Sequence, residues 1–474
     1  MKTITMNKSL VALSVTALLA GCVVGPDYQR PALELPTDRA TVATGLAQAA
    51  TSASWWTVFN DPMLDRVMDE ALKNNLDLVV AAARVSEARA QLGLAVSDQL
   101  PSAYATGGYE RNRNSAESSR SAPGQPLQST TYRGTLNVSY EIDFWGKYRR
   151  ASAAARADLL AVEANRDAMR LSLSAQTVQG YFSVLALDAR INATRLAIAR
   201  SNEALGMQKK RFDAGVISEF DFQQRAAEAD AARAQLPPLV SQLGKEERAL
   251  KVLLGRSPRE IFEGEFQRSR KLTPLNTVAL PTALHSELLL QRPDLIEAEQ
   301  RLIAATARIG VARAAYFPSI SLTGLLGSES ESLRNLFNGP SRVWNFAAGL
   351  TQPLWGAGRV GKQVDVADAQ KEQAVAQYRN AIASAFRDVK DAIAAQSAVR
   401  DVYEIDQQRV ASYGKAWELA KLRYANGVAS QLDVIDAERG LLLAELDRIS
   451  ALQSLRNAVT DLYRAMGGNV PLVN

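Results

Sequence analysis

The chain has 474 residues, with 55 Lys and Arg against 50 Asp and Glu, one His and one Cys. A formal charge of +5 without a basic stripe gives no footprint for nucleic acid. His285 stands alone, and no H-E-x-x-H, G-x-S-x-G or P-loop pattern occurs, so a metalloenzyme, hydrolase or NTPase would lack its ligands or base.

Residues 1–21 read as an export signal. Lys2 and Lys8 precede an apolar run, Leu10 to Ala20, which is too short to span a bilayer as a helix. The run ends Leu19-Ala20-Gly21-Cys22, which resembles a bacterial lipobox, so Cys22 is expected to carry lipid and to become the new first residue. Residues 22–60 are Pro-spaced (Pro26, Pro31, Pro36) up to Trp55 and Trp56, and read as a lipidated tether.

Helical periodicity follows from about Asp61 to Leu100. A proline-free segment from about Lys147 to Ala214 is longer still; some 60 residues of helix run roughly 90 Å. Helices are also expected at about Glu219–Leu254, Leu284–Tyr316, Gly361–Tyr424 and Gln431–Met466, with a kink or break at Pro237-Pro238. Leu452, Leu455, Val459, Leu462 and Met466 step 3, 4, 3, 4, as in a coiled-coil seam. Residues 256–283 hold Pro258, Pro274 and Pro281 with little periodicity and read as a linker.

Two places break the helical period. Leu136, Val138, Tyr140, Ile142 and Phe144 alternate with polar or small residues, as do Ile320, Leu322, Gly324 and Leu326. Strands are expected at 101–110 and 132–144, and again at 318–327 and 343–354, around polar loops. About ten residues is the length that crosses an outer membrane at a tilt. Trp145-Gly146 and Trp355-Gly356 close each hairpin, and Trp suits a membrane interface. Four strands are too few to close a barrel, and open edges are not tolerated in lipid. The barrel is therefore expected to be shared between copies of the chain.

The chain also repeats itself. RFDAGVISEFD at Arg211 matches RYANGVASQLD at Arg423, and the match runs without a gap to Gly255 and Gly467. Asp77–Gly107 matches Asp294–Gly324, and DFWGKYRR at Asp143 matches PLWGAGRV at Pro353. Nearly constant offsets mark a duplication of about 210 residues, far longer than a solenoid repeat. The expected organisation is a first repeat at 61–255 (hairpin about 101–144), the linker at 256–283, and a second repeat at 284–474 (hairpin about 318–354).

With CVVGPDYQRP at 22–31, YEIDFWGKYRR at 140–150, LLLQRPDLIEAEQRLIAATARIGVARAAYFPSISLTG at 288–324 and RYANGVASQLDVIDAERGLL at 423–442, the chain resembles the outer-membrane efflux channel family. The likeness is to the TolC and OprM type, and within it to the lipoprotein branch. It implies a mainly α protein with membrane β: a homotrimer, a 12-stranded outer-membrane β-barrel and a periplasmic α-barrel of coiled-coil helices. It implies an outer-membrane, lipid-anchored exit duct for drugs and other toxic small molecules, without enzymatic activity. The implied partners are a periplasmic adaptor (membrane fusion) protein, an inner-membrane pump of the RND type, and outer-membrane lipid. No cofactor is implied beyond the lipid on Cys22. Long helices and a lipid anchor would also suit a coiled-coil adaptor lipoprotein without a pore; the hairpins argue against that.

The same resemblance implies that the last helical pair closes the periplasmic mouth through Arg423, Tyr424, Leu432, Asp433 and Asp436. Leu432 and Asp436 are i, i+4 neighbours. Copied around an axis, Leu432 would form an apolar ring and the aspartates acidic rings, in which adjacent carboxylates raise one another's pKa. A helix N-terminal turn would by itself account for one Asp. The first repeat keeps Asp221 but has Gln224 at the position of Asp436, which points to one specialised pair.

Overall fold

The computed structural model describes residues 23–33, 54–117, 126–269, 272 and 290–468; Cys22 and His285 lie outside them. Helix dominates, and the strands form one sheet. The chain divides into two compact units.

The first unit comprises Met1–Ala32, Val85–Val162 and Glu297–Tyr378. Its sheet has the order β1 (Ser102–Arg113), β2 (Gln128–Ile142), β3 (Ser319–Ser330), β4 (Arg342–Thr351), antiparallel throughout. Each strand thus starts or ends within a few residues of its expected bound, and both hairpins reach further into the loops. Pro101 and Pro318 stand immediately before β1 and β3, where the missing N–H costs no ladder bond. Trp145 stacks on Phe317 at 4.4 Å and donates its indole N–H to the Pro318 carbonyl, 2.8 Å, tying the two hairpins at their base.

Residues 23–30 are bolted to this unit rather than left free. The Val24 amide donates to the Trp145 carbonyl, 3.1 Å. Arg150 reaches the carbonyls of Val24 and Gly25 and the carboxylate of Asp27, at 3.3, 3.2 and 2.9 Å. Glu299 accepts from Tyr28 and, bidentately, from Arg30, all at 2.8 Å. At the centre, Gly25 (φ +108°) presses on Gly310 so closely that a Cβ on Gly25 would sit 2.4 Å from the Gly310 Cα.

The second unit comprises Leu33–Arg84, Glu163–Ile296 and Arg379–Asn474. The expected helix 61–100 is two helices, α1 (Pro62–Asn74) and α2 (Leu76–Ser97). Asn75 makes the break: its backbone is extended, and its side-chain oxygen caps α2 by accepting from the amides of Asp77 and Leu78, 2.9 and 3.1 Å. The proline-free segment is one helix, α3 (Lys147–Asp213). α4 (Glu219–Ala234) and α5 (Leu236–Leu253) part at Gln235, because Pro237 and Pro238 fit a first turn and not a helix interior. The linker begins with a short helix, α6 (Pro258–Glu263), closed by a Ser257–Glu260 capping box. α7 (Pro293–Ala314) belongs mostly to the first unit, and its expected start at Leu284 lies outside the described residues. α8 (Arg359–Ala425) and α9 (Gln431–Ala465) complete the second repeat.

Trp55 and Trp56 belong to the core, not to a tether. They lie in a 3₁₀ turn, Trp55–Phe59, and both are buried. Trp55 stacks on Tyr463 at 5.4 Å, and Phe59 meets Phe182 edge to face at 4.8 Å. Val178, Tyr181, Phe182 and Leu185, spaced as one helical face, supply the α3 side of this core. Arg456 lies over Phe182, 4.3 Å from the ring centre. Burial pushes its pKa down to about 10, so it stays cationic at neutral pH. Asp61 ties the turn to α3: it caps α1 through Met63 and accepts from the Tyr181 hydroxyl, 2.7 Å.

The duplication is visible atom by atom. Asn75 and Arg292 occupy matching positions; Asn75 donates to the Leu253 carbonyl, 2.9 Å, and Arg292 to that of Ala465, 2.7 Å, which is again the matching residue. Beside each carbonyl a glycine turns back with positive φ, Gly255 at +67° and Gly467 at +73°.

The clamp on residues 23–30 gives a first prediction. Gly310→Val places a side chain where the Val24 carbonyl lies 2.7 Å from a Cβ. It should release the N-terminal segment to limited proteolysis while circular dichroism stays that of the parent; equal protection of the segment would show that the clamp does not hold it.

Candidate functional site

The register sorts the sheet residues onto two faces. One cross-strand row is Ile142, Ile320 and Leu350; the next are Tyr140, Leu322 and Ala348, then Ala103, Val138, Gly324 and Phe346, then Ala105, Leu136, Leu326 and Trp344. Trp344 and Phe346 are 78% and 68% exposed, far more than a soluble surface carries for a row of large apolar groups. Tyr109 and Tyr132, 5.0 Å apart, bound the apolar rows, and Arg111 and Gln128 lie beyond them. An apolar band closed by aromatics is the pattern of a lipid-facing strand surface.

The other face is hydrophilic. Thr106 and Thr135 share a hydrogen bond of 2.8 Å, and Asn137 donates to both, at 3.1 and 3.2 Å. Ser102, Ser139 and Thr323 continue it, and Arg133 pairs with Glu329 at 2.6 Å. Among the described residues no strand pairs with the free sides of β1 and β4, so both edges present unpaired backbone groups. No helix of the described residues is long and apolar enough to cross a membrane.

The residues expected at the mouth lie at the turn joining α8 to α9, and the turn joining α3 to α4 is built alike. Gly215 and Gly427 end the long helices with φ of +70° and +74°. Ser218 and Ser430 cap the next helices, accepting from the amides of Asp221 and Asp433 at 3.1 and 3.3 Å. The differences lie in the side chains. Phe212 stacks on Phe222, 5.2 Å. Its counterpart Tyr424 instead offers a hydroxyl that accepts from Arg211, 2.5 Å, and Gln208, 2.9 Å. The aromatic of one repeat is thus tied to the long helix of the other.

Arg423 reaches the Val428 carbonyl across its own turn, 3.4 Å. Leu432 is exposed, and Asp436 lies one turn on from it, 4.0 Å from Arg439. Asp433 does more than line a surface: its carboxylate accepts from the Ser430 amide and hydroxyl at 2.8 and 3.0 Å, closing a capping box. The Ser430 backbone and side-chain hydrogen bonds, aided by the charge of Arg423, hold its carboxyl below the usual range.

Sequence reasoning missed Gln208, Arg211, Arg225 and Glu438. Arg225, 2% exposed, pairs with Glu438 at 3.0 Å, and Arg439 pairs with Glu228 at 2.8 Å, binding α4 to α9. Arg211 was within reach of the sequence, since it repeats at Arg423. The other three have no counterpart in the duplication.

A family model described as outer membrane efflux protein matches residues 67–256 and 284–468. The chain is 32% identical to the cation efflux system protein CusC of Escherichia coli (strain K12) over 464 residues, 97% of this chain and 99% of that one. It is 33% identical to the antibiotic efflux pump outer membrane protein ArpC of Pseudomonas putida over 470 residues, 98% and 96% of the two chains. The fold superposes on the CmeC outer membrane channel of Campylobacter jejuni with a TM-score of 0.88 at 30% identity, covering 96% of each chain.

The Asp433 cap yields a pH-dependent expectation. A carboxyl held low in the folded state stabilises above its unfolded pKa, and that contribution fades as pH falls through the lowered folded value. Asp433→Asn should therefore speed amide hydrogen exchange at residues 431–434 at pH 7. The gap to the parent should close as the pH drops below about 4, the ordinary Asp range. A gap independent of pH would show the cap to be uncharged in its action.

Proposed function

This chain belongs to the outer membrane efflux protein family, and on that premise we propose that it is the outer-membrane exit duct of a tripartite efflux system. It conducts small molecules passively and performs no bond chemistry. The observation that carries the reading is the two-faced sheet with open edges. Its apolar rows suit lipid, its threonine, serine and asparagine rows suit water, and its unpaired edges need further copies of the same sheet. Three copies give about twelve strands, within the range of single-lumen barrels. A coiled-coil adaptor without a pore has no use for such a sheet.

In this reading energy and substrate choice come from an inner-membrane pump of the RND type through a periplasmic adaptor. The names of the relatives, one a cation system and one an antibiotic pump, support an efflux role for this chain without fixing its cargo. Lipid on Cys22 serves as an auxiliary anchor, led to the membrane by the clamped residues 23–30. At the periplasmic mouth Leu432 supplies an apolar constriction that excludes water, and Asp436 supplies charge. Arg423 and the capped Asp433 fix the turn, and the Tyr424 tie holds the last helical pair against the first.

Purified protein in a planar bilayer should give discrete conductance, and cross-linking in detergent should give a trimer. A chain that conducts as a monomer would refute the shared barrel, and one that inserts but never conducts would refute the duct.

The mouth assignment has its own check. Leu432→Ser should raise the open fraction and admit large antibiotics from outside, and Asp436→Ala should lower cation selectivity. Variants that conduct and select like the parent would move the constriction elsewhere.

A further inference from the structure

The register that separates the two faces of the sheet also separates its charges. The strands hold three carboxylates, Glu110, Glu141 and Glu329, and all three fall on the hydrophilic face. Of the strand arginines, Arg133 joins them there and pairs with Glu329. Arg111 and Arg113 of β1 and Arg342 of β4 fall on the apolar face, in the same alternation as Tyr109 and Trp344. All three side chains are exposed, and Arg111 donates to the neutral Gln128, 3.2 Å. Their height is as particular as their face. Arg113 is the last residue of β1 and Arg342 the first of β4, so the three stand at the loop end of the sheet, past the aromatics that close the apolar band. The helices leave the sheet at its other end. A cation within hydrocarbon is costly, whereas one just beyond an interfacial aromatic meets headgroups.

β1 and β4 are also the edge strands. Closing the edges with further copies sets β4 of one copy against β1 of the next, about 5 Å away. Arg342 of one copy then stands beside Arg111 and Arg113 of the next, whose Cα atoms lie about 7 Å apart along their strand. Guanidinium groups gathered on one outward face, with no acid among them, offer planar forks of donors that match phosphate oxygens. We propose that each seam between copies binds the phosphate of an outer-leaflet lipid. This rests on the duct reading, which puts the apolar face in lipid and the loop end outside. The occupant is a lipid rather than a soluble anion because the arginines continue the apolar rows. One molecule then supplies phosphate to Arg111, Arg113 and Arg342 and acyl chains to Trp344 and Phe346. It touches both chains at the seam and so adds a side-chain tie to a joint made otherwise by backbone ladder.

The test is titration of the purified full-length protein in detergent with diphosphorylated lipid A, read by native mass spectrometry, which counts chains and bound lipids together. Saturation at one lipid per seam is expected. Monophosphorylated lipid A, with the same acyl chains and one phosphate fewer, should bind about fivefold more weakly, the scale of one basic side chain at an anionic surface. Arg342→Gln should weaken the diphosphorylated lipid by a similar factor. Arg111→Gln, Arg113→Gln and Arg342→Gln combined should weaken it about a hundredfold. Arg133→Gln, on the other face, should leave it unchanged. Equal binding of the two lipids, or unchanged binding by the combined variant, would overturn the proposal. Displacement of the lipid by millimolar inorganic phosphate would overturn it too, and make the cluster a site for a free anion. A trimer that ignores the lipid phosphate refutes the seam site and leaves the duct reading standing; a parent protein that stays monomeric refutes the shared barrel and the seam with it.

Discussion

A backbone amide or carbonyl in hydrocarbon has no water to turn to, and that constraint governs everything else about this chain. The sheet carries an apolar face that water would not tolerate at such exposure and two edges that lipid would not tolerate unpaired. Neither problem has a solution within one copy. Closure with further copies solves both, because the edges vanish into ladders and the hydroxyl-lined faces turn inward together.

The duplication supplies parts, and divergence assigns them. Asn75 and Arg292 have different side chains, yet each stops one helix and holds the matching carbonyl of another. Such a site tolerates exchange of residue type so long as a donor of the right reach remains. The two turns at the helix ends follow the opposite logic. Their backbones are the same, with glycine and serine in register, but Phe212 stacks where Tyr424 hydrogen-bonds. Structure is shared between the repeats, and the polar contact that crosses between them exists once.

What could be read from the residues depended on whether the signal was local. The strand alternation around Leu136 and Ile320 is local, as is the proline-free run of α3, and both were legible. Asn75 was not, because a capping residue in the midst of good helix formers looks like any other polar surface position until its side chain turns back onto Asp77 and Leu78. Trp55 and Trp56 look like the end of a tether, since the core they join, with Tyr463 stacked on Trp55 and Phe182 against Phe59, comes from far along the chain. At the turn joining α8 to α9, the family pattern brought out Tyr424 and Asp433. Gln208 and Arg225 could be found only by knowing that α3 and α4 meet α8 and α9.

The hydrophilic face of the sheet has a kinetic meaning. Its central wall is neutral hydroxyl and amide, Thr106, Thr135, Asn137 and Ser139, and the Arg133–Glu329 pair cancels its own charge. A small molecule passing along this face meets many shallow, interchangeable hydrogen bonds. No single residue of this stretch holds its cargo, so side chains can be exchanged along it so long as hydroxyl and amide groups remain.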